Sequence, residues 1–240
     1  MGRLRVAVVA LVGGVLLAGL AGRIGDRIEA TGSLLFVSDR DGEPAIFVAD
    51  ARSGQAARMS SFGDFDPVLS PDGTRIAFTS TRDGNREIYV MNADGSQPIR
   101  LTDRLGADED PTWSPDGRWI AYESTHEGNR DVYVLNTEGR GNPTRLTMHQ
   151  DPDCYPAWSP MGTMIAFARG HGQDGLDLYL LDLETGDLRR LTTDGGQEPA
   201  WSPDGSRIAF MSNRTGDWEI YVINVDGSNE RRLTDEQGLD

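Results

Sequence analysis

The sequence predicts an all-β fold, a β-propeller of four-stranded antiparallel blades, five in number with a degenerate first blade. Three observations carry that prediction. A thirteen-letter phrase recurs four times, as DPVLSPDGTRIAF, DPTWSPDGRWIAY, YPAWSPMGTMIAF and EPAWSPDGSRIAF. Its first prolines are Pro67, Pro111, Pro156 and Pro199, spaced 44, 45 and 43 residues apart. A second landmark follows each copy (EIYVMNADGS, DVYVLNTEGR, DLYLLDLETG, EIYVINVDGS), and a third (IRLT, TRLT, RRLT, RRLT) ends at Thr102, Thr147, Thr192 and Thr234. A fixed period of this length without helical periodicity is the form a stack of small sheets takes in sequence.

In chain order, residues 6–22 (VAVVALVGGVLLAGLAG) come first: an uncharged apolar run preceded by Arg3 and Arg5. That is the pattern of a secretory signal or a retained signal anchor. Residues 1–25 are therefore read as signal peptide or N-terminal membrane anchor, and 26–240 as propeller, with blades over about 26–65, 66–109, 110–153, 154–197 and 198–240. The reading places the protein outside the cytoplasm, periplasmic or extracellular, with any membrane contact made by residues 6–22 alone. The first blade has LLFVSDRDG, AIFVAD and ARMS but lacks a clear opening strand. DRIEATG at 26–32 is read as its decayed version, and a ring completed by a second chain is the competing arrangement.

Residues 110–147 show the logic of a full blade. The runs PTWS and WIAYES flank SPDG, a tetrapeptide suited to a type I turn: Pro sets φ at the second position, and Gly takes the left-handed fourth. DVYVLN and PTRLT follow after the polar loops THEGNR and TEGRGN. Ile120-Ala121-Tyr122, Ile165-Ala166-Phe167 and Ile208-Ala209-Phe210 are continuously apolar. A sheet with one wet face would alternate, so both faces of these strands are expected to be covered by neighbouring blades. Trp113, Trp158 and Trp201, with Leu69 in the second blade, are expected to pack between blades.

Composition excludes one class of partner. The net charge is -15, and all 23 basic residues are Arg. Nothing here neutralises a run of phosphates, so a nucleic-acid partner is excluded. Cys154 is the sole cysteine, so no internal disulfide forms, and it is read as an inert small hydrophobe.

The three phrases closely resemble the TolB-type propeller repeat, whose hallmarks are PxWSPDGxxIAF, then SxRDGxxEIY, then RLT. The resemblance spans nearly all the chain after the export segment. It implies an exported binding module or the propeller domain of a larger enzyme. The α/β domain that precedes the propeller in TolB has no counterpart in this sequence, so the resemblance implies no particular cellular partner.

Enzyme signatures are sparse. There is no G-x-S-x-G nucleophile elbow and no glycine-rich phosphate loop leading into a helix. The Asp-Gly pairs in SDRDGE and STRDGN lack the third acid and closing Glu of a calcium loop and are read as turns. Propeller function sits on loops, and the connections between blades are acidic: Asp64 and Asp66; Asp108, Glu109 and Asp110; Asp151 and Asp153; Asp194 and Glu198. Asp66, Asp108, Asp110, Asp153 and Glu198 are the candidate binding residues, for a basic protein or envelope component or for a cation such as calcium. His126, His149 and His171 are assigned to the same face. His149 and His171 with Asp151 form a candidate zinc-type ligand set. The leading functional reading is a non-catalytic binding module. The alternative is a small extracellular hydrolase or lyase acting on a glycan or lactone, with a metal at the channel mouth.

Overall fold

The computed structural model describes residues 9–11 by their backbone, and residues 32–138, 141–170 and 175–235 in full. Among the described residues it contains twenty β-strands and no helix, so no helix there is long and apolar enough to cross a membrane. The strands form five four-stranded antiparallel sheets, the blades of a propeller. The first holds β1 (Val9–Leu11), β2 (Ser33–Ser38), β3 (Ala45–Asp50) and β4 (Ala56–Arg58). The second holds β5 (Asp64–Leu69), β6 (Arg75–Ser80), β7 (Glu87–Asn92) and β8 (Ile99–Arg100). The third holds β9 (Asp108–Trp113), β10 (Trp119–Ser124), β11 (Asp131–Asn136) and β12 (Thr144–Arg145). The fourth holds β13 (Asp153–Trp158), β14 (Met164–Gly170), β15 (Leu176–Asp182) and β16 (Leu188–Arg190). The fifth holds β17 (Gln197–Trp201), β18 (Arg207–Ser212), β19 (Glu219–Asn224) and β20 (Arg231–Arg232). The chain divides into two compact units, Met1–Pro111 and Thr112–Asp240.

The SPDG phrase folds as its chemistry requires. The amide of Gly73 donates to the carbonyl of Ser70 at 2.8 Å, Gly117 to Ser114 at 2.9 Å, and Gly205 to Ser202 at 2.8 Å. Gly73 sits at φ 72, in the left-handed region that favours glycine. The middle aspartate adds a second lock: the Ser70 hydroxyl donates to Asp72 at 2.6 Å, and the Asp72 carboxylate also accepts the Thr74 amide at 3.0 Å. In the fourth blade Met161 replaces that aspartate and is 76% exposed, yet Gly162 still closes the turn on Ser159 at 2.9 Å.

A second lock explains the pairing of EIY with RLT. Glu87, at the start of β7, is fully buried. Arg100 donates to one of its oxygens at 2.7 Å and Thr102 to the other at 2.6 Å. The Thr102 hydroxyl in turn accepts the Ile88 amide at 2.9 Å. The same acid–Arg–Thr latch recurs with Asp131, Arg145 and Thr147, with Asp177, Arg190 and Thr192, and with Glu219, Arg232 and Thr234. In the first blade Ala45 stands in place of the acid, and only the Ser60 hydroxyl remains, accepting the Ile46 amide at 3.0 Å.

Cores lie between adjacent sheets. Within the first unit Leu35 and Ile46 pack with Ile76, Phe78, Tyr89 and Met91. Within the second, Ala166, Ala168, Leu178 and Leu180 meet Ile208, Phe210, Tyr221 and Ile223. Each fully buried large side chain contributes roughly 1.5–3 kcal/mol of transfer free energy. Trp201 seats between blades as expected, its indole N–H donating to the Ala157 carbonyl at 3.0 Å. Ile120-Ala121-Tyr122 and Ile165-Ala166-Phe167 are at most 2% exposed, so both faces of β10 and β14 are covered. In β18 Ile208, Phe210 and Ser212 are buried while Ala209 and Met211 are half-buried, so one face of that strand is less covered than its sequence implied.

The first blade also differs from expectation. The strand beside β2 is β1, whose Val9 lies opposite Leu35 and Leu11 opposite Leu34. It comes from within the apolar run read as the export segment, not from DRIEATG, of which residues 26–31 lie outside the described residues.

Candidate functional site

The first strand of each of the last four blades carries a shared irregularity. The residue before its proline has a left-handed backbone: Asp66 (φ 48), Asp110 (φ 52), Tyr155 (φ 55) and Glu198 (φ 51). Proline has no amide to offer the ladder, so pairing breaks there. The register shifts between Phe65 and Val68, between Cys154 and Ala157, and between Gln197 and Ala200, each a β-bulge. Bulges of this kind favour glycine, because an L side chain at positive φ meets its own backbone. Here none is glycine, and the residue preceding a proline is steered away from helical backbone in any case.

The five carboxylates expected to bind a partner therefore fall into two groups. Asp66 and Asp110 are half-buried and Glu198 is exposed, each at a bulge. Asp108 and Asp153 are buried, at 2% and 0% exposure. Asp153 holds Arg169 in a two-point pair at 2.6 and 2.8 Å, as the equally buried Asp64 holds Arg82 at 3.0 and 2.8 Å. A buried carboxylate needs such a partner to offset its lost hydration. Asp153 is thus engaged inside its own blade, and the Asp108 amide closes on the Arg86 carbonyl at 2.9 Å.

The histidines separate similarly. His126 takes the repeat position that Arg82 takes in the second blade, and its amide donates to the Ser124 hydroxyl at 3.1 Å. Nδ1 of His149 accepts the Asp151 amide at 3.1 Å and lies 3.4 Å from the Asp151 carboxylate. Asn129 donates to the His149 carbonyl at 2.6 Å. This is a local turn, with Nδ1 already employed as an acceptor. His171 lies outside the described residues, and among the described residues no group of three or more His, Cys, Asp or Glu side chains is placed to hold a metal ion. Burial pushes the Cys154 thiol up to about 12, so it is not a thiolate at neutral pH.

One recurrent feature escaped the sequence reading. The arginine of SDRDG, STRDG and SNRTG lies over the aromatic pair joining the second and third strands of its blade. Arg40 covers Phe36 and Phe47, Arg82 covers Phe78 and Tyr89, and Arg214 covers Phe210 and Tyr221, at 4.4 to 5.5 Å. The signal was present as an Arg two residues after the serine that ends the second strand. A cavity of about 200 Å³ in the first unit, lined by Arg58, Met59, Ser60, Arg82, Met91 and Gly95 among others, contains none of the expected binding residues.

Five four-stranded blades, the last four latched by the same acid–Arg–Thr triplet and broken at the same proline, define a repeat-built propeller module. The family model for the TolB β-propeller domain matches residues 63–174 and 153–240, more than half of the sequence, and the chain belongs to that family. Among solved structures it is similar to TolB from Acinetobacter baumannii, with 28% identity and a TM-score of 0.79 over 88% of this chain. The chain spans only 53% of that protein's length. It is also similar to a protein of Agrobacterium tumefaciens described as TolB, with 23% identity and a TM-score of 0.75, covering 84% of this chain and 76% of the other. An oligogalacturonate lyase in complex with manganese shares the fold at 17% identity and a TM-score of 0.64, over 84% of this chain and 62% of the other. No curated protein matches the chain.

Proposed function

We propose that this protein is an exported, non-catalytic propeller module that binds a basic protein or cell-envelope component through the carboxylates at its strand bulges, Asp66, Asp110 and Glu198. One observation carries the reading. In four blades the backbone before the proline holds the same unfavourable left-handed conformation, while the residue there varies as Asp, Asp, Tyr and Glu. Strain retained at a fixed place with a changing side chain is what a recognition position needs, and such strain concentrates at ligand contacts. The net charge of -15 supports a cationic partner, because a field of one sign raises its encounter rate. Export rests on the Arg-flanked apolar run at 6–22.

The test is affinity capture from the native envelope with the full chain and with its D66N/D110N/E198Q form. The reading expects a captured component that is lost in the triple variant and in raised salt, with the thermal midpoint unchanged. Equal capture by both forms overturns it.

A further inference from the structure

The geometry points to a second binding place, independent of the bulge carboxylates. It is the cavity of about 200 Å³ beside Arg58 and Ser60 in the first unit, and its ligand is a short aliphatic carboxylate.

The latch of the later blades supplies the argument. There an arginine and a threonine two residues apart each donate to one carboxylate, as Arg100 and Thr102 do to Glu87. The arginine Nε is tied in addition to the threonine carbonyl, in each of the last four blades. Strand register identifies the same pair in the first blade. Arg58 lies opposite Phe47 as Arg100 lies opposite Tyr89, and Ala45 lies opposite Ser38 as Glu87 lies opposite Ser80. The Met59 amide closes on the Ile46 carbonyl at 2.8 Å, as the Leu101 amide closes on that of Ile88 at 2.8 Å. Arg58 and Ser60 are therefore a carboxylate-gripping pair, and Ala45 has no carboxylate to give them.

Both members of the pair line the cavity. Among the described residues Arg58 makes neither latch bond. Its guanidinium rests 4.7 Å over the Phe62 ring, and Asp41 stands 4.0 Å away, with both side chains exposed. An ion pair that long and that wet contributes little. The Ser60 hydroxyl donates to the neighbouring Ser61 carbonyl at 3.2 Å, a longer bond than the 2.6 Å one from Thr102 to Glu87. Arg82 completes the polar wall. Asp64 takes one of its terminal nitrogens and Ser80 its Nε, which leaves the other terminal nitrogen without a partner among the described residues. Asp64 already neutralises Arg82, so Arg58 holds the site's spare positive charge and a single anionic group balances it.

The rest of the lining sets the size and character of the ligand. Met59 and Met91 form an apolar wall of unbranched thioethers, which adapt to a short hydrocarbon. The volume is below that of a drug-sized site, so the ligand is a carboxylate on a few carbons. Charge-assisted bonds from a guanidinium and a hydroxyl then repeat, with an outside acid, the grip that the other blades make internally.

The test uses the full chain, labelled with nitrogen-15 and titrated with sodium butyrate against sodium chloride at matched ionic strength. The proposal expects saturable shifts of the Arg58, Ser60 and Ser61 amides with butyrate, and none with chloride or with butyramide, the uncharged isostere. It expects affinity about tenfold weaker for the R58Q chain, with partial recovery in R58K. The butyramide comparison leaves the protein untouched, so misfolding of R58Q does not blur the outcome. An acetylated and amidated Ala-Glu-Ala peptide distinguishes the two sources of such a group. Binding tighter than butyrate's at the same amides assigns the carboxylate to a partner's glutamate, and weaker binding assigns it to a free acid. Absence of shifts at those amides overturns the proposal, as do equal affinities for butyrate and butyramide or for the native and R58Q chains. Formate binding as tightly as butyrate overturns the aliphatic assignment, and inorganic phosphate binding more tightly overturns the carboxylate.

Discussion

Glu198 carries its side chain on a backbone at φ 51, immediately before Pro199, and is exposed. Asparagine tolerates that conformation better than glutamate does, and a β-branched residue tolerates it worse. Glu198→Asn is expected to stabilise the fold by about 0.5 kcal/mol and Glu198→Val to destabilise it by more than about 1 kcal/mol, as read from denaturant midpoints. Asp72 gives a pH-dependent counterpart. Hydrogen bonds from Ser70 and Thr74 hold its carboxyl down to about 2, from an ordinary 3.8. The folded state binds this proton less readily than the unfolded chain, so the contribution is fully present above about pH 4. It fades as pH falls toward 2. The stability gap between the native chain and Asp72→Asn should therefore narrow across that range; a gap that stays constant would show that the turn does not depend on the charge. The group is almost fully exposed, so the effect is modest. At this scale the sequence was informative about the turn, because Ser, Pro, Asp and Gly each have one reason to be there. It was silent about Asp153, whose arginine partner lies sixteen residues away across a hairpin, a distance no local pattern encodes.

The latch between the third and fourth strands belongs to the element scale. Thr102 both accepts the Ile88 amide and donates to the buried Glu87. Thr102→Val keeps the shape, removes both bonds and leaves a buried carboxylate with one fewer donor. A loss of about 2–3 kcal/mol is expected. Ser60→Ala in the first blade, where Ala45 replaces the acid, should lose only about 1 kcal/mol. Equal losses at the two sites would mean that the carboxylate adds nothing to the latch. The recurrence of EIY and RLT announced these strands plainly, and β10 and β11 coincide with the runs WIAYES and DVYVLN. What the repeat concealed was why its arginine and threonine are invariant across four blades, since the bonds they make join strands that the sequence lists separately. The opening strand of the first blade was concealed for a different reason. Val9–Leu11 shares no phrase with the other first strands and lies inside a run whose composition reads equally well as an export signal.

For the whole molecule, five sheets of one design leave chemistry to the places where the design is interrupted. The bulge residues are one such place. The acidic charge is the basis of the cationic partner proposed for them, with an association expected to weaken as salt rises. Its most direct measurement is a calorimetric titration of the captured envelope component into the full chain and into the D66N/D110N/E198Q form at two salt concentrations. The bulge carboxylates predict an affinity at least tenfold lower in the triple variant, with a shallower salt dependence. The same affinity and the same salt dependence in both proteins would contradict a binding role for these carboxylates.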